Sequence, residues 1–250
     1  MKQRGFTLIE MIVTIVVVAV IGLAIAGFVE YGMKGYVETI DRQKVQVKGQ
    51  FVVEKMSREI SHAVPNSFDS SITPASASSY AQKCLVFYAI KYSGFYHFDE
   101  ATDELNFIIG QDFPILNEDD FLIINPTDYS EFGENSTKRI PVSGLVSTSN
   151  VFTASSVSLS SQSIAKRHYI YDDSDSAPVS YCLVNDTIQN QGLIQRNGVT
   201  VADSINYADS NFRYEEPSLQ RGGVIHIDLV LEQNNEVSVY QQDVQVLNAP

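Results

Sequence analysis

What this 250-residue chain lacks is informative. No proline occurs before Pro65, so nothing in the first quarter of the sequence forces a helix to stop. Basic residues are scarce, 17 Lys and Arg against 30 Asp and Glu, for a net charge of -13. Without a clustered Lys/Arg stripe, a general grip on nucleic-acid phosphates is not expected. No G-x-S-x-G, H-E-x-x-H, C-x-x-C or phosphate-binding glycine loop is present, and His62, His97, His168 and His226 are scattered singly, reading as solvated or core-edge side chains. No catalytic activity and no cofactor are expected. Ionisable side chains are also missing from Phe6 to Val29, with the single exception of Glu10.

That last gap is a positive signal. An apolar run of about 24 residues makes a helix of about 36 Å, enough to cross a hydrocarbon core of about 30 Å. Lys2 and Arg4 precede it and the next basic residue is Lys34, so positive-inside orientation places the N-terminus in the cytoplasm and the remainder outside. A cleaved secretory signal is the competing reading. Its apolar core would run for about 7 to 15 residues, and a carboxylate near its start would be unusual. Glu10 needs either a wet position near the headgroups or a partner, since a carboxylate in hydrocarbon costs about 2.5–3.5 kcal/mol on insertion scales.

The basic start followed by Gly5-Phe6-Thr7-Leu8-Ile9-Glu10 and an uninterrupted apolar helix resembles the class III signal of type IV pilins and the related pseudopilins of type II secretion. The resemblance implies cleavage between Gly5 and Phe6 by a prepilin peptidase, N-methylation of Phe6, and retention of the apolar segment. It also implies that Glu10 pairs with the N-terminal amine of a neighbouring subunit during assembly. Breaking such a buried pair typically costs about 3–5 kcal/mol, so the pair would set register in a filament.

Beyond Val29 the helical pattern continues in amphipathic form. Met33, Val37, Ile40, Val47, Phe51, Met56 and Ile60 recur at helical intervals, and Glu38/Arg42 and Glu54/Arg58 are spaced for i,i+4 pairing. Pro65 ends it, predicting a helix from Phe6 to about Val64, roughly 90 Å long. Gly22, Gly27, Gly32 and Gly35 punctuate this helix, either as points of bending or local melting or as small residues for close helix packing in lipid. Residues 66–79 read as a Ser-rich loop.

Strand-like runs follow at Cys84–Lys91, Phe95–Phe98, Glu104–Ile109, Phe121–Asn125 and Val151–Leu159, with a turn expected at Ser93-Gly94 and mostly loop over 126–150. Arg167–Asp172 and Pro178–Val184 are expected to pair around the intervening DDSDSA turn. In the C-terminal hairpin Ile225, Ile227, Leu229 and Leu231 alternate onto one face, EQNNE turns, and a bulge or a strand end near Gln241 is expected because Val237 and Val239 are out of phase with Val244 and Val246. Cys84 and Cys182 are the only cysteines, on the oxidising side by the topology above; a disulfide between them is favoured over two separate buried thiols.

Gly35–Lys44, Ser57–Ser67, Pro178–Val184, Ser218–Leu231 and Val244–Pro250 resemble the MshO-type minor pilins of the mannose-sensitive haemagglutinin pilus. Two acidic clusters, Glu118/Asp119/Asp120 and Asp172/Asp173/Asp175, invite a calcium reading because some pseudopilins bind calcium. Neither has EF-hand spacing, so solvated loop acid is preferred and no metal site is assigned. The expectation is a pilin-like α+β fold: leader 1–5, membrane helix 6–29, amphipathic continuation 30–64, and an exported β-rich domain 65–250, with the helix on an antiparallel sheet. The expected role is a structural minor pilin, held in the inner membrane with its domain in the periplasm and then moved to the pilus. Its partners would be other pilin subunits, prepilin peptidase and the inner-membrane assembly platform. A J-type pseudopilin and a pilus-borne adhesin or ligand-binding module are the alternatives.

Overall fold

The computed structural model describes residues 7–69, 82–174, 178–186, 191–217, 222–234 and 236–246. One helix, α1 (Leu8–Ser61), precedes the strands β1 (Gln82–Phe87), β2 (Tyr92–Asp99), β3 (Glu104–Ile109), β4 (Asp120–Ile123), β5 (Ile140–Pro141), β6 (Phe152–Ala154), β7 (Arg167–Asp172), β8 (Val179–Asp186), β9 (Gln191–Arg196), β10 (Val199–Ile205), β11 (Asn211–Glu215), β12 (Val224–Gln233) and β13 (Glu236–Gln245). This is the pilin-like α+β arrangement expected, with one addition. The strands form two antiparallel sheets, not one.

The Val- and Ile-rich start of α1 has only modest helix propensity in water. In hydrocarbon, however, a helix is the one form in which a single segment satisfies all its own backbone groups. The helix is unbroken through Gly22, Gly27, Gly32 and Gly35, so none of them melts it here, and a β-carbon at any of the four would meet open space. It ends at Ser61, short of the predicted Val64. The residue before a proline is pushed out of the α region, and extended pairing takes over: the Val64 N–H donates to the Tyr88 carbonyl (2.8 Å) and the Ile90 N–H to the His62 carbonyl (3.0 Å).

The seven-stranded sheet runs β1-β8-β9-β10-β12-β11, with β13 on the other edge of β12. On β12, Ile225, Ile227, Leu229 and Leu231 are buried in strict alternation, as their spacing predicts. Val45, Val52, Met56 and Ile60 of α1 pack onto that inner face with Leu85, Tyr181, Leu183 and Ile194. Burying four such side chains contributes roughly 6–12 kcal/mol gross, at about 1.5–3 kcal/mol each, which fixes the upper helix to the domain. Neither the predicted bulge nor a strand end occurs near Gln241. β12 and β13 pair without interruption from Val224↔Gln245 to Gln233↔Glu236, and Val237 and Val239 face outward. The turn is tighter than EQNNE, since strand pairing reaches Gln233 and Glu236.

The six-stranded sheet runs β5-β4-β7-β2-β3-β6 and encloses a second core around Leu105, Phe107, Leu122 and Ile170. Val64, Tyr88, Ile123, Phe132, Tyr169 and Tyr171 form the cluster where it meets the end of the helical segment. Two sequence expectations fail here. Ser93 and Gly94 do not turn but lie inside β2; a β-carbon at Gly94 would stand 1.8 Å from the Ile108 carbonyl oxygen, so glycine serves close strand approach. β7 and β8 do not pair with each other: β7 lies between β2 and β4, β8 between β1 and β9 in the other sheet.

Candidate assembly surface

The helix presents three different surfaces along its length. From Leu8 to Val29 almost every side chain is exposed, including Leu23 (77%) and Phe28 (81%), and the stretch is long and apolar enough to cross a membrane. Buried positions begin at Val45 and continue through Gly49, Val52, Met56 and Ile60. Spacings of four, three, four and four keep these on one stripe, the one the sheet covers. Val47 and Phe51 belonged to the same run by sequence spacing, but they lie on the opposite side, 58% and 59% exposed. Together with Ile40, Gln43, Lys44, Lys48 and Gln233 they line an apolar groove of about 540 Å³.

Glu10 stands in the first turn of α1, where the orphan N–H groups and the helix dipole favour a carboxylate. Thr7 occupies the N-cap position with extended backbone but makes no side-chain cap bond. Among the described residues no side chain pairs with Glu10, and in hydrocarbon such a carboxylate needs a partner or a wet position near the headgroups. Gly5 and Phe6, the predicted processing pair, lie outside the described residues.

Polar contacts lock the upper helix in register on its sheet. Arg42 donates from Nε (3.2 Å) and Nη2 (2.9 Å) to the Glu236 carboxylate at the start of β13. Asn234 donates to Asp41 (2.7 Å), Lys48 pairs with Asp203 on β10, and Arg196 on β9 donates to Glu59 (2.8 Å). Burial pushes the Glu59 carboxyl up, but hydrogen bonds from Lys55 and Arg196 outweigh it and hold its pKa below the ordinary value. At Gly49 the Tyr240 ring lies flush on the helix: a β-carbon there would be 2.2 Å from its Cε2, and the Tyr240 hydroxyl donates to the Gln46 carbonyl (2.9 Å).

Cys84 and Cys182 are joined by a disulfide and are direct register partners across β1 and β8. The bond therefore staples neighbouring strands of one sheet. The reading of the acidic clusters as solvated loop acid needs correction. Asp120 is fully buried and accepts from Lys91 at 2.8 and 2.7 Å and from the Asn117 N–H at 2.6 Å. Asp172 caps the Ser174 N–H (2.8 Å), while Asp173 is held by Arg139 and by the Tyr88 hydroxyl (3.0 Å). Asp175 lies outside the described residues, and among those described no group of three or more His, Cys, Asp or Glu side chains is placed to hold a metal ion.

Folding does bring the two clusters together, because β4 and β7 are neighbours. Asp119 and Asp173 line one polar cleft of about 850 Å³ with Glu134 and with Arg139, whose guanidinium lies 3.9 Å from the Phe121 ring centroid. No short-range motif marks this cleft; it depends on strand order. His168 also departs from expectation. It is fully buried on β7 against Phe107, with both ring nitrogens unpartnered.

Residues 1–26 match the prokaryotic N-terminal methylation motif. No curated protein and no solved structure matches the chain. The matched stretch spans the basic start and most of the unburied apolar helix, and it supports a type IV pilin-like signal on a membrane-associated chain.

Proposed function

We propose that this chain is a structural, non-catalytic subunit of a type IV pilus-like filament, a minor pilin. The observation that carries the proposal is the methylation motif heading a helix whose lower half is apolar and unburied while its upper half is locked onto a sheet. Such a helix has one half that its own domain does not cover, and in lipid or among neighbouring helices that half is satisfied by packing. The chain is cut between Gly5 and Phe6 by prepilin peptidase and methylated on Phe6. It is held in the inner membrane with its N-terminus cytoplasmic and its domain periplasmic, then drawn by the assembly platform into contact with other pilin subunits. Glu10 pairs there with the amine of a neighbour. Passages in the helix and tail that resemble MshO-type minor pilins support a pilus of the mannose-sensitive haemagglutinin kind.

The test is gene deletion with filament counting, followed by complementation with wild type and with Glu10→Ala. The expected result is loss of filaments, restored by wild type alone. Unchanged filaments with failed protein export would replace the proposal with a secretion pseudopilin. Unchanged filaments with lost attachment would replace it with an adhesin.

A further inference from the structure

Most edges of the two sheets are short or already occupied. β5 and β6, which end the six-stranded sheet, are two and three residues long. In the seven-stranded sheet β11 has five residues and lies beside β1. The outer side of β1 is taken by Asp69, whose N–H donates to the Val86 carbonyl (2.8 Å) and whose carbonyl accepts from the Val86 N–H (3.0 Å). β13 is the exception. It pairs with β12 over all ten residues without a bulge, and among the described residues no strand pairs with its other side. Its sequence EVSVYQQDVQ carries neither proline nor lysine, the residues that commonly blunt an edge. Its two carboxylates are engaged within the chain, Glu236 by Arg42 (2.9 Å) and Asp243 by His226 (2.6 Å). Gln241, Gln242 and Asp243 are exposed in succession, so neither face of the strand is covered there.

We propose that the free side of β13 takes up an extended strand from a pilin-like subunit other than this chain, adding one strand to the seven-stranded sheet. The inference rests on the assembly reading above and gives it a contact. The chemistry of the edge selects the occupant. Alternate residues of β13 turn both N–H and C=O away from β12, and another extended backbone matches that spacing of donors and acceptors. The side chains narrow the choice of strand. On the outer face Val237 and Val239, 56% and 63% exposed, come first, and Gln241 and Asp243 follow. Val239 faces Val230 in register, so an apolar row across the hairpin stops at the edge. A second copy of β13 continuing this sheet would run antiparallel, and pairing along the whole strand would set Val237 and Val239 against its Asp243 and Gln241. A strand of different sequence, with apolar side chains opposite the two valines, fits better. One added strand is weakly held by itself, but subunits confined to one membrane meet at high effective concentration.

A photo-crosslinking residue replaces Val237, Val239 or Gln241 in turn in the full-length chain, expressed in its native host, and linked peptides from membranes and filaments are read by mass spectrometry. The expected result is attachment to one segment of a second protein that itself begins at a methylated residue. The attachment point should move two residues for each two-residue step along β13. Attachment points without that step, or on a helix, would overturn strand addition. Attachment to another copy of this chain would overturn the choice of occupant. Gln241→Pro and Gln242→Pro test the backbone. One of these N–H groups points to β12 and the other away, so one proline should lower the melting temperature. The other should leave it unchanged while cutting cross-linking from position 239 at least tenfold. A proline that leaves both melting and cross-linking unchanged would overturn main-chain pairing. No cross-link from chains that enter filaments normally would overturn the contact and leave the assembly reading standing. Failure of the wild-type chain to enter filaments would defeat the assembly reading itself, and the contact with it.

Discussion

His168 is fully buried with neither ring nitrogen hydrogen-bonded. Burial against Phe107 lowers its pKa to about 4 from 6.5, so the folded chain stays neutral there while an unfolded chain takes up a proton. Protonation of the unfolded chain therefore costs the fold nothing above pH 6.5 and erodes its stability as pH falls from 6.5 towards 4. At about 1.4 kcal/mol per pH unit, the total is about 3 kcal/mol. His168→Leu should flatten the melting curve's pH dependence across that window. It should also raise the melting temperature at neutral pH by a few degrees, because two unpartnered ring nitrogens leave the core. Gly49 offers a second single-residue test. Overpacking against Tyr240 costs about 1–3 kcal/mol and outweighs the roughly 1 kcal/mol of helix propensity gained, so Gly49→Ala should lower stability. Gly35→Ala, facing open space, should not. Thermal melts of the detergent-solubilised chain compare the two. Neither role is visible in sequence: a lone histidine and a helix glycine look alike whether wet or buried.

Among the elements, α1 and the β12–β13 hairpin were the most legible, because each is long and carries one dominant period. The details that misled were those where two faces are both apolar. Val47 and Phe51 match the helical spacing as well as Val52 and Met56 do, yet the sheet covers only the latter pair. Val237 and Val239 suggested a bulge when they are simply outward-facing residues of a regular strand. β9, β10 and β11 carried no pattern strong enough to assign. The disulfide between β1 and β8 closes a sequence separation of 98 residues. Replacing both cysteines with serine should lower stability by about 2–5 kcal/mol, read as a shift in urea midpoint.

For the whole molecule, the long helix with a β domain was readable from composition and order, whereas the division into two sheets was not. Sheet membership is a matter of long-range pairing: Arg167–Asp172 and Val179–Asp186 are near neighbours in sequence but part company into different sheets. The polar cleft of Asp119, Arg139 and Asp173 depends likewise on long-range pairing, that of β4 with β7. The candidate assembly site divides the same way. Glu10 and the apolar run announce themselves in the sequence, while the groove of Ile40, Val47 and Phe51 needs the sheet to define which helix face stays free. At this scale the proposed function requires that the chain be processed between Gly5 and Phe6, keep its apolar helix and become part of a filament. The direct test is mass spectrometry of the protein recovered from sheared surface filaments. The expected result is that the chain is present and begins at N-methylated Phe6. Its absence from filaments, or a mature N-terminus beyond Val29, would contradict it.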